Sequence, residues 1–152
     1  GLQLLKAIIT TVPGVPCIYQ GDEYGVPGAN DPDNRDMMTF EGYNEYQQRE
    51  YAQTQALLKN RRGSMPLMYG DLRTLYVDDA AWVFIRHYMG QWCVVGINVR
   101  GEAKSIDVEL PTFAKCADTA IAVATDGAAV ECQGCGKLTI TLPAYGYAIV
   151  NK

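Results

Sequence analysis

The feature that most constrains the fold of this chain is a change in its hydrophobic pattern near residue 67. Beyond that point, apolar and polar residues alternate with a period of two, and turn residues interrupt the alternation about every ten residues. Short strands at this spacing indicate an antiparallel β-sandwich or barrel. We predict eight strands, at residues 73–77, 82–88, 92–99, 104–110, 120–125, 130–133, 137–142 and 147–150.

The residues before this change predict two helices. Apolar residues at helical spacing favour an amphipathic helix at the very start of the chain, ended by the prolines of residues 12–16. A second helix is predicted over residues 45–62, with Tyr51 and Leu58 on its apolar side and Arg61 on its solvent side. Gly63 and Pro66 are typical of the end of such a helix.

Between the helices, a strand and a long loop are predicted. Residues 17–20 (CIYQ) form a short apolar run bounded by turn residues, as in a buried parallel strand that would also bury Cys17. Residues 21–42 are polar and rich in Gly, Pro, Asp and Asn, and loops of this length are usually functional. Helix, strand, loop and helix in this order are typical of α/β structure.

A single strand and two helices cannot cover their own apolar faces, since a parallel strand needs neighbours on both edges. We therefore expect the chain to be a fragment of fold class α+β, with other strands preceding residue 1. Residues 1–66 are the expected α/β remnant, and residues 67–152 are the expected antiparallel β-domain.

The composition and net charge of the chain exclude few functional classes but make several of them less favoured. With 48% hydrophobic and 20% charged residues, the chain has the composition of a globular protein. A net charge of −4 does not favour a nucleic-acid partner, and no apolar run has the length of a membrane span. The compartment stays open between periplasmic or extracellular and cytoplasmic, because any signal peptide would lie upstream of residue 1.

Five cysteines make an odd number, which excludes complete pairing within the chain. Cys132 and Cys135 have the spacing of a zinc or redox pair. A tetrahedral zinc site needs four ligands, and the sequence offers only one histidine, His87, which we expect to be an ordinary strand residue. We therefore favour a structural hairpin at these cysteines and predict no metal site.

Two motifs carry a resemblance to a known family. Residues 13–25 (PGVPCIYQGDEYG) resemble the segment around the eighth barrel strand of α-amylase-family glycoside hydrolases. Residues 28–38 (GANDPDNRDMM) resemble a stretch typical of the neopullulanase and cyclomaltodextrinase branch of that family. The resemblance implies the last β/α unit of a (β/α)8 barrel, followed by a Greek-key β-sandwich.

The family's chemistry is retaining hydrolysis of α-glucans such as starch, pullulan or cyclodextrins, performed by a pair of carboxylates. The resemblance implies that these carboxylates, with a third aspartate, would lie before residue 1. We therefore expect no catalytic residue in this chain, no cofactor, and no activity of the chain by itself, although the parent would be an enzyme.

The resemblance implies that Asp31 and Arg35 bind substrate. A carboxylate and a guanidinium can hold sugar hydroxyls with charge-assisted hydrogen bonds. The alternative is a salt bridge that only orders the loop. Tyr19, Glu23 and Asn30 are candidates for ordering the loop or for contacting substrate, although we expect Tyr19 and Tyr24 to serve mainly in packing.

Two other functions stay open at this point. The chain could be a non-catalytic carbohydrate-binding module, which would need exposed aromatic residues on one face of a sheet, or a purely structural β-sandwich. We also expect that the residues before 67 pack back onto the β-domain or that the fragment self-associates, because their apolar surface would otherwise be exposed.

Overall fold

The computed structural model describes residues 1–28, 30–114, 119–134 and 136–152. Three layers make up the fold: a layer of three helices, a five-stranded sheet and a three-stranded sheet. This arrangement confirms the predicted fold class of helices followed by an antiparallel β-sandwich. The elements are α1 (Leu2–Thr11), α2 (Glu45–Gly63), α3 (Met65–Tyr69), β1 (Asp71–Val77), β2 (Ala81–Tyr88), β3 (Gln91–Asn98), β4 (Lys104–Glu109), β5 (Ala120–Ala124), β6 (Ala129–Gly134), β7 (Lys137–Leu142) and β8 (Tyr147–Asn151).

Polar side chains set the bounds of the second and third helices. Asn44 and Gln47 form a capping box at the start of α2, each side chain bonding the backbone N–H of the other. Ser64 follows the last residue of α2 and caps α3 through its hydroxyl. Pro66 therefore lies in the first turn of α3, where a missing N–H costs nothing. The prediction that Pro66 only ends a helix missed this short element.

The two sheets are antiparallel throughout and pack face to face. The five-stranded sheet has the order β1-β2-β3-β8-β5, and the three-stranded sheet has the order β4-β7-β6. Strands that are neighbours in space are therefore often distant in sequence, as Greek-key connections produce. The core between the sheets includes Val83, Val94, Leu138 and Ile140, all fully buried.

The helices cover the other face of the five-stranded sheet. Leu4 of α1, Leu57 of α2 and Leu67 of α3 pack with Phe84 and Val95 of the sheet in a second apolar cluster. The expectation that the residues before 67 pack back onto the β-domain is therefore met. The sheet ends up buried on both faces, which explains the nearly continuous burial of β3.

Two predictions for the first 66 residues are wrong. Residues 17–20 are not a strand, because a strand is defined by hydrogen bonds to a neighbour and no described residue pairs with this segment. Cys17 is consequently exposed rather than buried. Arg61 lies on the buried side of α2, because its guanidinium donates to the backbone carbonyls of Thr10 and Val12.

The described cysteines have different environments. Cys93 is fully buried on β3, and burial raises the pKa of its thiol to about 12. Cys132, in β6, is disulfide-bonded and is therefore not a free metal ligand. Cys116 and Cys135 lie outside the described residues. Among the described residues, no helix is long and apolar enough to cross a membrane.

Candidate functional site

The long loop between α1 and α2 presents an ion pair to solvent. The Nε atom of Arg35 lies 2.7 Å from Oδ1 of Asp31, and the two side chains are 71% and 60% exposed. Arg35 is the last residue of a short 3₁₀ turn at Asp33–Arg35, and Asp31 lies two residues before that turn. The pair thus exists, and its remaining N–H groups and oxygens face outward, where hydroxyl groups of a ligand could reach them.

Backbone bonds hold this turn. The carbonyl of Asn30 accepts from the N–H of Asp33 at 2.8 Å, and the carbonyl of Pro32 accepts from that of Arg35 at 2.9 Å. Gly28 lies close behind the turn, since a Cβ atom there would be 3.2 Å from Cα of Asn34. Asn30 therefore orders the loop through its backbone, while its exposed side chain stays available.

One side chain of the segment before the loop forms a hydrogen bond with the far end of the loop. Nε2 of Gln20 donates to the carbonyl of Asp36 at 3.0 Å, so residue 20 is tied to the residue that follows Arg35. Tyr19 is 63% exposed, which contradicts its predicted role in packing. Its ring is free to contact a ligand near the loop.

Glu23 and Tyr24 contact other parts of the loop and α2. Glu23 accepts from the N–H of Gly21 through its carboxylate, at 2.9 Å, and from the hydroxyl of Thr54 on α2 through its carbonyl. Tyr24 is buried and stacks on Tyr43, with ring centroids 4.6 Å apart. Glu23 therefore fastens the start of the loop to α2, and its carboxylate is directed to its own turn rather than to the ion pair.

The other candidate residues in the described part of the chain do not come together in a metal site. The described part of the chain contains no group of three or more His, Cys, Asp or Glu residues that could hold a metal ion. His87 is half-buried in β2, as expected, with its ring 4.1 Å from that of Phe113.

A groove of about 630 Å³ lies where residues 1–4, at the start of α1, and α2 meet the β5–β6 and β7–β8 turns; we call it the junction groove. Its wall includes Tyr46, Arg49 and Gln53 of α2, Asp126 of the β5–β6 turn and Tyr145 of the β7–β8 turn. Sequence reasoning missed these residues. They come from three distant segments, and no local motif marks them.

Comparisons with known proteins agree on one group of enzymes. A cyclomaltodextrinase of Geobacillus thermopakistaniensis is 29% identical over 151 residues, which cover 97% of this chain and 24% of that enzyme. Neopullulanase 2 of Thermoactinomyces vulgaris is 33% identical over 64% of this chain and 17% of its own length. The chain thus spans about a quarter or less of these relatives. No protein-family model matches the chain.

Among solved structures, the debranching enzyme of Nostoc punctiforme in its native form superposes with a TM-score of 0.81 at 25% identity. The match covers 99% of this chain and 31% of that one. The helices, the loop and both sheets therefore occur together as one segment of a longer, solved protein.

Proposed function

We propose that the chain forms the C-terminal part of an α-amylase-family glycoside hydrolase, in a branch with cyclomaltodextrinases and neopullulanases. The reason is that it is related to such enzymes over nearly its whole length. In this proposal the parent is a retaining hydrolase of α-glucans. The chain supplies a substrate-binding loop and a β-domain that stabilises the barrel, and the catalytic carboxylates lie outside residues 1–152.

The observation that carries the proposal is the exposed ion pair of Asp31 and Arg35 within the loop motif. An exposed pair of this kind contributes about 0–1 kcal/mol to folding. That small contribution makes a purely structural role a weak reason for the arrangement. A charged pair directed to solvent can still bind hydroxyl groups strongly once a ligand excludes water.

The remaining candidates fit around the pair. Tyr19 offers an exposed ring before the loop, and Asn30 an exposed amide beside Asp31. Glu23 acts by fastening the loop to α2. Residues 1–66 are then the last unit of the catalytic barrel, and residues 67–152 are the C-terminal β-domain, joined to it by the shared apolar cluster.

A carbohydrate-binding module acting through a sheet face has less support. The outward side chains of the three-stranded sheet include Ser105, Asp107, Thr139 and Thr141, which bond one another across the strands. No aromatic residue lies on this outer face in its described strands β4, β6 and β7. The outer face of the other sheet is covered by helices.

The test is a chimera in which residues 1–152 replace the matching segment of a cyclomaltodextrinase. We expect the chimera, and not the chain alone, to release sugar from β-cyclodextrin, starch and pullulan. Asp31→Ala should raise KM at least about tenfold, as the loss of a charge-assisted bond of 1.5–3 kcal/mol implies. Asp33→Ala is the matched control, since Asp33 is exposed in the same loop.

Three results would count against the proposal. Sugar release by the chain alone would show that the catalytic carboxylates are misplaced. Equal KM values for Asp31→Ala and Asp33→Ala would leave the ion pair with an ordering role only. A chimera that folds but has no activity would show that this segment cannot replace its counterpart in the enzymes that it resembles.

A further inference from the structure

We propose that the junction groove is a second carbohydrate-binding site, separate from the loop that carries Asp31 and Arg35. Its volume of about 630 Å³ is suitable for a small molecule, since ligand pockets usually measure about 300–1,000 Å³. The groove lies between the helical layer and the β-domain, and pockets often form where such units meet.

Two exposed aromatic rings line the groove. Tyr46 and Tyr145 are 46% and 58% exposed, although each belongs to a different layer of the fold. A tyrosine ring offers an apolar face and a polar hydroxyl, so it can pack against the C–H face of a sugar and also bond a hydroxyl group. Rings of this kind at a groove favour a ligand that is partly apolar and rich in hydroxyls.

Two side chains of opposite charge complete the recognition chemistry. Arg49 of α2 lies with its guanidinium carbon 5.8 Å from the ring centroid of Tyr46. Neither Arg49 nor Asp126 forms an ion pair with another described residue. An anionic ligand would meet Asp126, and a cationic ligand would meet Arg49. A neutral polyhydroxylated ligand can use both, as donor and as acceptor.

Tyr145 is held in place by its backbone. Its φ angle is +50°, which is uncommon for a residue other than glycine, and such strained residues cluster at ligand sites. Its N–H donates to the carbonyl of Arg100 at 2.8 Å, and its ring lies against Gly101. The backbone that carries the ring is therefore held in place before any ligand arrives, which lowers the entropic cost of binding.

The chemistry of the groove indicates an oligosaccharide, and the choice of an α-glucan rests on the proposed function. The test is isothermal titration of the 152-residue chain with maltotetraose, with cellotetraose as the stereochemical control. We expect a Kd on the order of 1 mM for maltotetraose. Tyr145→Asn, which tolerates the positive φ, and Arg49→Gln should each weaken binding at least about fivefold.

Arg62→Gln is the matched control for Arg49→Gln, because Arg62 is an exposed arginine of the same helix outside the groove. It should leave binding unchanged, and circular dichroism should show that all variants remain folded. Equal binding of cellotetraose would overturn the choice of an α-glucan, and no effect of Tyr145→Asn and Arg49→Gln would overturn the groove as the binding site. The absence of saturable binding to maltotetraose would overturn the proposal as well.

A variant with both Asp31→Ala and Arg35→Ala separates this site from the loop. It should bind maltotetraose as tightly as the unchanged chain if the junction groove holds the sugar. If it loses binding while Tyr145→Asn does not, the groove is excluded and the loop is supported. If the chimera shows no effect of Asp31→Ala but groove binding persists, the loop's role fails and the second site stands.

Discussion

At the scale of single residues, a buried ion pair decides how α1 meets α2. Nζ of Lys6 lies 3.0 Å from Oε2 of Glu50, and the two side chains are only 2% and 3% exposed. Nε2 of Gln3 donates to the other carboxylate oxygen at 2.8 Å. The contact therefore satisfies both oxygens of Glu50, which is the condition under which a buried charge is tolerated.

Breaking this pair should be costly. We expect Lys6→Met to lower the free energy of unfolding by about 3–5 kcal/mol, because the carboxylate of Glu50 stays buried without its cation. Lys59→Met, on the exposed side of α2, should change it by less than about 0.5 kcal/mol. Urea unfolding followed by circular dichroism measures both.

A double variant with Lys6→Met and Glu50→Leu removes both charges and should recover most of the loss. A cost for Lys6→Met no larger than that for Lys59→Met would show that the ion pair is solvated in solution. Failure of the double variant to recover stability would show that packing around residue 6, rather than charge, is decisive.

At the scale of elements, two buried arginines fix the end of α1. Arg61 donates to the carbonyls of Thr10 at 2.7 Å and Val12 at 3.3 Å, and also to that of Gly14. Arg86 of β2 donates to the carbonyl of Thr11 and, at 2.7 Å, to that of Gly70. The last carbonyls of a helix have no partner within it, and a positive charge is favourable there.

We expect Arg61→Met to lower the free energy of unfolding by about 1–3 kcal/mol, because it leaves buried carbonyls without donors. Arg62→Met, its exposed neighbour, is the matched control. Hydrogen exchange should quicken at the last turn of α1, residues 9–12, in the first variant only, and Arg61→Lys should restore part of the protection. Equal exchange in both variants would contradict the role given to Arg61.

These contacts explain which elements the sequence could predict. The strands of the β-domain follow from alternation and turn residues, both of which are local, and the structure places them within about two residues of the prediction. The buried line of α2, which contains Glu50, Thr54, Leu57 and Arg61, is largely polar. Its burial depends on partners 31 to 51 residues away, such as Glu23 and Thr10, which no local pattern reveals.

The candidate site was likewise predictable from the sequence only in part. The four-residue spacing of Asp31 and Arg35 in the sequence allowed an ion pair, and the structure contains that pair. Its proposed role in binding substrate was first implied by the family resemblance, and the exposure of the pair in the structure supports it. The junction groove could not be found from the sequence, because Arg49, Asp126 and Tyr145 meet only through the packing of α2 on the β-domain.

At the scale of the whole molecule, the segment before α2 leaves several large apolar side chains exposed. The helices bury the outer face of the five-stranded sheet, so that sheet is not a contact surface. The segment around the loop still exposes Val15, Tyr19, Met37 and Phe40, with Met37 at 91% and Phe40 at 79%. Exposed apolar side chains gathered in one segment commonly mark a contact with another protein surface.

We therefore expect the 152-residue chain to self-associate through this segment, with a Kd on the order of 10 µM. Sedimentation velocity over a range of concentrations should show a monomer that converts to a dimer. A variant with Met37→Ser and Phe40→Ser should weaken association at least about tenfold, because it removes apolar area from the contact. Added salt should not weaken association, since the burial of apolar side chains, rather than the attraction of charges, is expected to drive it.

Val77→Ser is the matched control for this surface, because Val77 is also a large exposed apolar residue but lies at the end of β1. It should leave the dimer unchanged if association is specific to the loop. A single monomeric species at every concentration would show that the exposed segment is stable in water by itself. Equal weakening by Val77→Ser would indicate unspecific aggregation, and the β-domain edge would then contribute as much as the loop.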